Sequence, residues 1–351
     1  MATELIKVDL NAPEKSFDAL MGAAEVIRRG GLVVFPTETV YGLGGNATDA
    51  LAAKKIYAAK GRPGDNPLII HISNPCEAEG YAETCDLYYE LAKRFMPGPL
   101  TVIMKSKESI PPETRGGLDT VAVRCPENVI ARKLIEFAGI PIAAPSANLS
   151  GSPSPTTAKH VIDDMDGRVD IIIDGGECDF GLESTIVKIE DDSAVTLLRP
   201  GKITVEELSL VCDVKIADAV VDKLKDGEKV LSPGMKYRHY APAAPLVLLD
   251  GELDAQIEYI KSERVDNVGV LAYSENLECV RCEIKNAKVF DLGSSFDEAI
   301  QAHRLFSILR DADKFNFDKI YAPLPSKSGV GLALYNRMIR AAAHTIINLR
   351  H

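Results

Sequence analysis

The sequence predicts an α/β protein in two parts. Residues 1–210 read as a twisted mixed sheet with flanking helices, residues 211–244 as a linker, and residues 245–351 as a smaller Rossmann-like parallel α/β domain. Three observations carry this reading. A chain of 351 residues is long enough for about two domains at ~150 residues each. In the first part, apolar runs of strand length alternate irregularly with capped helical stretches, as a mixed sheet requires. Beyond Pro245, strand and helix patterns alternate regularly, which is how parallel βαβ units read.

Taken in order, Ser16 is placed to cap a helix through Ile27 that stops at Gly30 and Gly31, because a small polar cap opens a helix and glycine closes it. Leu32 to Phe35 follows as a short buried strand, then a glycine-rich turn over Tyr41-Gly42-Leu43-Gly44-Gly45. Thr48 or Asp49 caps a helix that runs through Tyr57 towards Lys60 and ends at Gly61 and Pro63. Strands are expected at Leu68 to Ile72, Leu100 to Met104, Thr120 to Arg124, Ile140 to Ala144, Val169 to Ile173, Thr185 to Ile189 and Val195 to Leu198, with helices between several of them. Pro200-Gly201 ends this block, and Thr204 to Leu208 is a short helix. From Leu210 to Pro245 the periodicity weakens, and LSPGMKYRHYAP, Leu231 to Pro242, reads as extended. After it come strands at Leu246 to Leu249, Val268 to Ala272, Lys288 to Leu292 and Ile320 to Ala322, and helices at Leu253 to Lys261, Phe296 to Ala312 and Ala333 to Leu349.

Composition narrows the function classes. Hydrophobic residues at 46% and charged residues at 26% exclude a wholly disordered chain, collagen and a coiled coil. No uninterrupted apolar run approaches the ~18 residues of a membrane span. Met1 to Lys15 has neither a basic start nor an apolar stretch, so no signal peptide is expected. The net charge of −11 argues against nonspecific nucleic-acid binding as the main activity, while leaving room for a local basic pocket for an anionic small molecule. Seven cysteines, an odd number in a long chain, fit a reducing cytoplasm better than a disulfide framework. Cys279 and Cys282 form one CxxC with no second pair to complete a zinc ribbon, and no metal site is expected.

The common nucleotide motifs are absent: there is no GxxxxGK[ST], and Gly329-Val330-Gly331 is not followed by the third glycine of a dinucleotide fingerprint. The densest polar cluster is Pro36-Thr37-Glu38-Thr39-Val40-Tyr41-Gly42-Leu43-Gly44, then Lys60-Gly61-Arg62-Pro63, then Asn66-Pro67-Leu68-Ile69-Ile70-His71. Alone, Lys60 and Arg62 could simply complement a helix dipole, and His71 could be a satisfied core histidine. A second cluster, Pro145-Ser146-Ala147-Asn148-Leu149-Ser150-Gly151 with Ser154-Pro155-Thr156, places hydroxyls and amides at a strand end. Such groups suit a polar ligand, although the same composition also makes an ordinary turn.

Taken together, these clusters are specific. Lys60-x-Arg62 followed by Ser146-x-Asn148, with PTETVYGLG upstream, resembles the YrdC/YciO family. Arg124 on its strand, Glu183-Ser184-Thr185-Ile186-Val187 and Leu198-Arg199-Pro200-Gly201 match as well, and SPGMKYRHYAP with an α/β tail resembles the family's long, two-domain form. The resemblance implies a YrdC-like catalytic domain. It also implies synthesis of L-threonylcarbamoyladenylate and pyrophosphate from L-threonine, bicarbonate or CO2, and ATP, a nucleotidyltransferase reaction. A downstream transferase would then pass the threonylcarbamoyl group to an adenosine of tRNA beside the anticodon. By matching motifs, Thr39, His71, Arg124, Ser146 and Thr185 would hold threonine. Lys60, Arg62, Asn66, Thr120, Asn148, Thr156, Arg199 and Tyr240 would hold ATP, with Lys60 and Arg62 stabilising charge at the phosphates. Mg2+ would be carried by the ATP phosphates. Ser232 to Pro242 is expected to cover the pocket as a lid. Two other classes compete: a module that binds double-stranded RNA or tRNA, and a carbamoyltransferase-type domain. The absence of added zinc-finger or acylphosphatase-like segments argues against the latter.

Overall fold

The computed structural model describes residues 2–222 and 240–350. The described residues divide into two compact units, 2–150 with 154–222, and 151–153 with 240–350. In chain order the first unit runs through β1 (Glu4–Lys7), α1 (Phe17–Arg28), β2 (Val33–Phe35), β3 (Gly42–Asn46), α2 (Ala50–Lys60), β4 (Ile69–His71), α3 (Asp86–Phe95), β5 (Leu100–Lys105) and β6 (Thr120–Arg124). It continues with α4 (Val129–Ala138), β7 (Ile142–Ala143), α5 (Ala158–Met165), β8 (Ile171–Asp174), β9 (Thr185–Ile189), β10 (Ala194–Arg199), α6 (Val205–Leu208) and β11 (Asp213–Ile216). All eleven strands join one mixed sheet in the order β1-β8-β2-β3-β7-β4-β6-β5-β9-β10-β11. The expected strands are present.

Local chemistry explains the helices. In α1, Leu20, Ala23, Ala24 and Ile27 are buried, the spacing of a single apolar face, and the chain leaves the helix at Gly30 with φ 77°. Asn128 accepts from the amides of Ile130 and Ala131 to open α4, and Gly139 closes it in the left-handed region. The buried faces of α1 and α4 share a core with Val33, Phe35, Ile142, Ile171 and Ile173. Each large side chain removed from water there is worth about 1.5–3 kcal/mol.

Two local expectations are corrected in this unit. The glycine run at 42–45 is not a turn but strand β3, antiparallel to β2. The glycines serve close packing: a Cβ on Gly44 would lie 2.7 Å from the Phe35 ring and 2.8 Å from Ile142. Asp213–Ile216, inside the stretch read as linker, is β11 and pairs in parallel with β10.

The second unit contains β12 (Leu246–Asp250), α7 (Leu253–Ser262), β13 (Val268–Tyr273), α8 (Leu277–Glu283), β14 (Ala287–Gly293), α9 (Glu298–Ala312), β15 (Lys319–Pro323), α10 (Gly331–Ala341) and β16 (Ile346–Asn348). Its five strands are all parallel, in the order β14-β13-β15-β12-β16. The expected final helix to Leu349 is shorter. It stops at Ala341, Ala343 and His344 take positive φ, and the β-branched run Thr345-Ile346-Ile347 turns into β16 beside β12. No glycine or proline marks that break, which hid it in the sequence. The CxxC pair lies exposed on α8, and all seven cysteines are free thiols.

Candidate active site

The sheet sets several expected site residues side by side. His71 at the end of β4 is the register partner of Arg124 at the end of β6. Arg124 in turn faces Thr101 on β5, and neighbouring Leu100 faces Thr185 at the start of β9. His71, Arg124, Thr101 and Thr185 are all buried. Burial drives His71 down from 6.5 to about 3, and the charge of Arg124 pushes the same way. The imidazole is therefore neutral across the physiological range.

Arg124 is the centre of the row. Its Nη2 donates to Glu38 Oε1 at 2.7 Å and to Thr39 Oγ1 at 2.9 Å, whereas its Nε is buried with no hydrogen-bond partner. Glu38 is buried as deeply as Arg124, so the pair sits away from water. A buried ion pair costs desolvation that its attraction barely offsets, which makes stability a poor reason for placing one here. Thr39 is held by Thr37, whose Oγ1 lies 2.9 Å from Thr39 Oγ1 and donates to the Val40 carbonyl at 2.6 Å.

A second group forms at the C-terminal end of α2, where Gly61 takes φ 62° and lets the chain turn back. Lys60 Nζ donates to the Ser146 carbonyl at 2.5 Å, the Asn148 carbonyl at 2.7 Å and Asn148 Oδ1 at 3.3 Å. The ammonium thus fastens the Ser146–Asn148 loop, a structural task beyond the charge role expected from the sequence. Ser146 Oγ donates to Asn148 Oδ1 at 2.6 Å, and Gly42 bridges to Ser146. Arg62 Nη2 donates to the Asn66 carbonyl at 3.0 Å, and its guanidinium lies 6.0 Å from the Tyr57 ring centroid. The Asn66 side chain is fully buried, and neither its oxygen nor its nitrogen has a hydrogen-bond partner.

A third group surrounds Arg199 at the end of β10. Its Nε donates to the Ser184 carbonyl at 3.0 Å and its Nη2 to Ser184 Oγ at 3.1 Å, and Ser184 Oγ lies 2.8 Å from Thr101 Oγ1. Thr185 Oγ1 donates to the Ile203 carbonyl at 2.7 Å. Gly201 is forced by proximity: a Cβ there would stand 2.5 Å from the Thr185 amide nitrogen. Thr156 is fully buried, and its carbonyl accepts from Cys178.

Thr120 and Tyr240 make none of the bonds of these three groups. Thr120 is at the opposite end of β6 from Arg124, paired with Lys105. Tyr240 belongs to the second unit, where it stacks on Phe306 with centroids 5.1 Å apart and lies under the Arg337 guanidinium at 5.8 Å. Of the expected lid, residues 232–239 lie outside the described residues. Sequence reasoning gave no role to Glu38, Ser154, Glu183 or Ser184, although Ser154 donates to Glu183 at 2.5 Å and all four are buried. They lie within the quoted clusters, so the motifs could have flagged them. Thr101 carried no motif at all.

The buried charges of this unit are Lys60, Arg62, Arg124 and Arg199 against Glu38 and Glu183. A cationic, hydroxyl-rich interior inside a chain of net charge −11 is suited to anionic ligands. Among the described residues, no group of three His, Cys, Asp or Glu side chains could hold a metal ion, and no helix is long and apolar enough to cross a membrane.

Residues 25–201 match the Sua5–YciO–YrdC family, described as telomere recombination, and residues 203–343 match the family described as threonylcarbamoyl-AMP synthase, C-terminal domain. A curated relative from Pyrococcus abyssi, named threonylcarbamoyl-AMP synthase, is 45% identical over 338 residues, covering 93% of this chain and 95% of its own. One from Bacillus subtilis with the same name is 44% identical, covering 93% of each chain. The crystal structure of P. abyssi Sua5 complexed with L-threonine superposes with a TM-score of 0.88 at 43% identity, covering 99% of this chain and 100% of that one. Motifs, fold and full-length similarity agree: the chain belongs to the Sua5–YciO–YrdC family in its long, two-domain form.

Proposed function

We propose that this chain synthesises L-threonylcarbamoyladenylate and pyrophosphate from L-threonine, bicarbonate or CO2, and ATP, as a nucleotidyltransferase of the cytoplasm. The observation that carries the reading is a pair of buried side chains with unmet hydrogen bonds. The Asn66 amide and Arg124 Nε are buried without partners, and such groups cost free energy unless a ligand completes them. An arginine edge suits the threonine carboxylate, being planar and able to hold both oxygens. Full-length similarity to named threonylcarbamoyl-AMP synthases and to a threonine-bound structure supports the same assignment.

In this reading Thr39, His71, Arg124, Ser146 and Thr185 surround threonine. Lys60, Arg62, Asn66, Asn148, Thr156 and Arg199 face ATP, Thr120 offers its backbone, and Tyr240 reaches ATP from the linker. The threonine nitrogen adds to CO2 to form a carbamate. A carbamate oxygen then attacks the α-phosphorus of ATP, and the bond to the pyrophosphate breaks. Fixed cations and donors lower the cost of the charge that builds up, and holding both reactants in line supplies much of the remaining rate. His71, kept neutral, hydrogen-bonds without adding a charge that would repel Arg124. Mg2+ enters on the ATP phosphates as part of the substrate. The product, a reactive mixed anhydride, is consumed by a transferase acting on tRNA.

Pyrophosphate release tests the proposal. Release should require threonine, bicarbonate and ATP together and fall to background when any one is omitted. Turnover without threonine, or a salt-dependent affinity for RNA with no ATP turnover, would contradict it.

A further inference from the structure

The buried carboxylate of Glu38 is not among the residues assigned to a substrate, yet it is tied to the residue placed at the threonine carboxylate. Oε1 accepts from Arg124 Nη2 at 2.7 Å, and Oε2 accepts from the Glu127 amide at 3.2 Å. The backbone carbonyl of Glu38 accepts from Phe180, and that of Thr39 from Gly181. Glu38 therefore ties the loop after β2, the end of β6 and the Phe180–Gly181 segment together around one guanidinium. The side-chain bonds fall on Nη2, and the Nε of Arg124 is left buried and unpartnered.

We propose that Glu38 is a positioning residue that fixes the Arg124 guanidinium so that its unpartnered Nε–H meets the carboxylate of the amino-acid substrate. This rests on the function proposed above. Two effects of Glu38 oppose each other, and their balance makes the idea testable. Its charge partly cancels that of Arg124 and so weakens attraction for a carboxylate. Its geometry holds the guanidinium in one rotamer and leaves the Nε–H unspent and aimed in one direction. In a buried site orientation outweighs the charge cancelled, because a donor turned away from the carboxylate forfeits a charged hydrogen bond, about tenfold or more in affinity.

Glu38→Ala and Glu38→Gln are compared with wild type by calorimetric titration of L-threonine and of L-threoninol, which keeps the amine and the side-chain hydroxyl but lacks the carboxylate. Thermal unfolding checks that each variant is folded. Glu38→Ala should bind threonine about tenfold or more weaker, with threoninol affinity changed less than about twofold. Glu38→Gln keeps an acceptor oxygen of the same shape and should return threonine affinity to within about threefold of wild type. Equal or tighter threonine binding by Glu38→Ala would overturn the proposal, since charge cancellation would then dominate. Parallel loss of threonine and threoninol would also overturn it, since Glu38 would then only support the fold. A wild-type protein that binds no threonine and releases no pyrophosphate refutes the proposed function itself, and this inference with it.

Discussion

The carboxyl edge of the five-stranded sheet and the row across β4, β6, β5 and β9 are built from opposite materials. In the second unit β12 and β15 are neighbours, but the chain leaves β12 for β13 on one side and leaves β15 for β16 on the other. Parallel sheets open a crevice at such a reversal. A cavity of about 680 Å3 lies there, lined among others by Asp250, Glu252, Asp254, Gln256, Tyr273 and Arg350. Its rim is acidic, and Arg350 is already spent on Asp250 at 2.7 Å. Among its unit's described residues the buried ones with polar side-chain atoms are Gln301, Asn336 and Arg337 with the tyrosines Tyr240, Tyr321 and Tyr335, none of them in that lining. The row in the first unit is instead crowded with buried hydroxyls, amides and cations. Space costs a fold little, whereas burying a polar group without a partner costs several kcal/mol. Among its described residues the second unit has one such atom, Tyr321 Oη, outside the cavity lining, whereas Asn66 and Arg124 lie among buried cations and hydroxyls. The chemistry is therefore located by clustered polar groups and not by volume.

The comparison can be sharpened or broken, beginning with the largest expected effect. A site lined by buried hydroxyls should reject valine, which leaves them unpaired, by ~10⁴-fold, but serine, which lacks one methyl, by only about tenfold. A competition assay in which valine matches serine would show that the side-chain hydroxyl is not read. Arg62→Ala should cost ~10² in adenylate synthesis through one lost charge-stabilising group. Its stability should fall by ~1.5–3 kcal/mol, the worth of a buried charged hydrogen bond such as the one to the Asn66 carbonyl, and near-normal turnover of the folded variant would leave Arg62 with that structural role alone. Gly201→Ala drives a methyl into Thr185 and should cost ~1–3 kcal/mol of stability, with a raised KM for threonine and little change in that for ATP.

The next effect is smaller and depends on pH. His71 titrates near 3 in the folded chain and near 6.5 unfolded. The unfolded state binds the extra proton between those values, so stability falls as pH drops from about 6.5 towards 3. His71→Gln should flatten that acid limb in thermal melts, and an unchanged slope would mean that another group carries it. The smallest effect belongs to the second cavity. Tyr273→Phe removes a hydroxyl from its lining and should alter adenylate synthesis by less than about twofold. A large loss there would break the comparison outright.

The resemblance drawn from a handful of motifs anticipated the fold class, because caps and strand periods are local. Asp49 and Gly61, both read from the sequence, bracket α2. What stayed hidden was set by contacts distant in sequence. The glycines of β3 read as a turn, and only Phe35 and Ile142, packed against them, explain why no side chain fits. β16 was masked by an alanine-rich lead-in that suits a helix as well as it suits a break. In the site, Arg124 and Thr39 were legible from motifs, but Glu38 acquires meaning only once β6 brings Arg124 across 86 residues to meet it. Thr101 and Ser184 likewise meet across 83 residues, a pairing that no local spacing announces.

Hydrogen exchange in the presence of L-threonine and Mg-ATP tests most directly which region is the site. Exchange should slow in peptides covering 36–41, 66–72, 120–126 and 184–188, where the buried polar row meets the ligands, and stay unchanged in peptides covering 249–257, which line the cavity of the second unit. Slowed exchange confined to 249–257, with the row unaffected, would contradict the account.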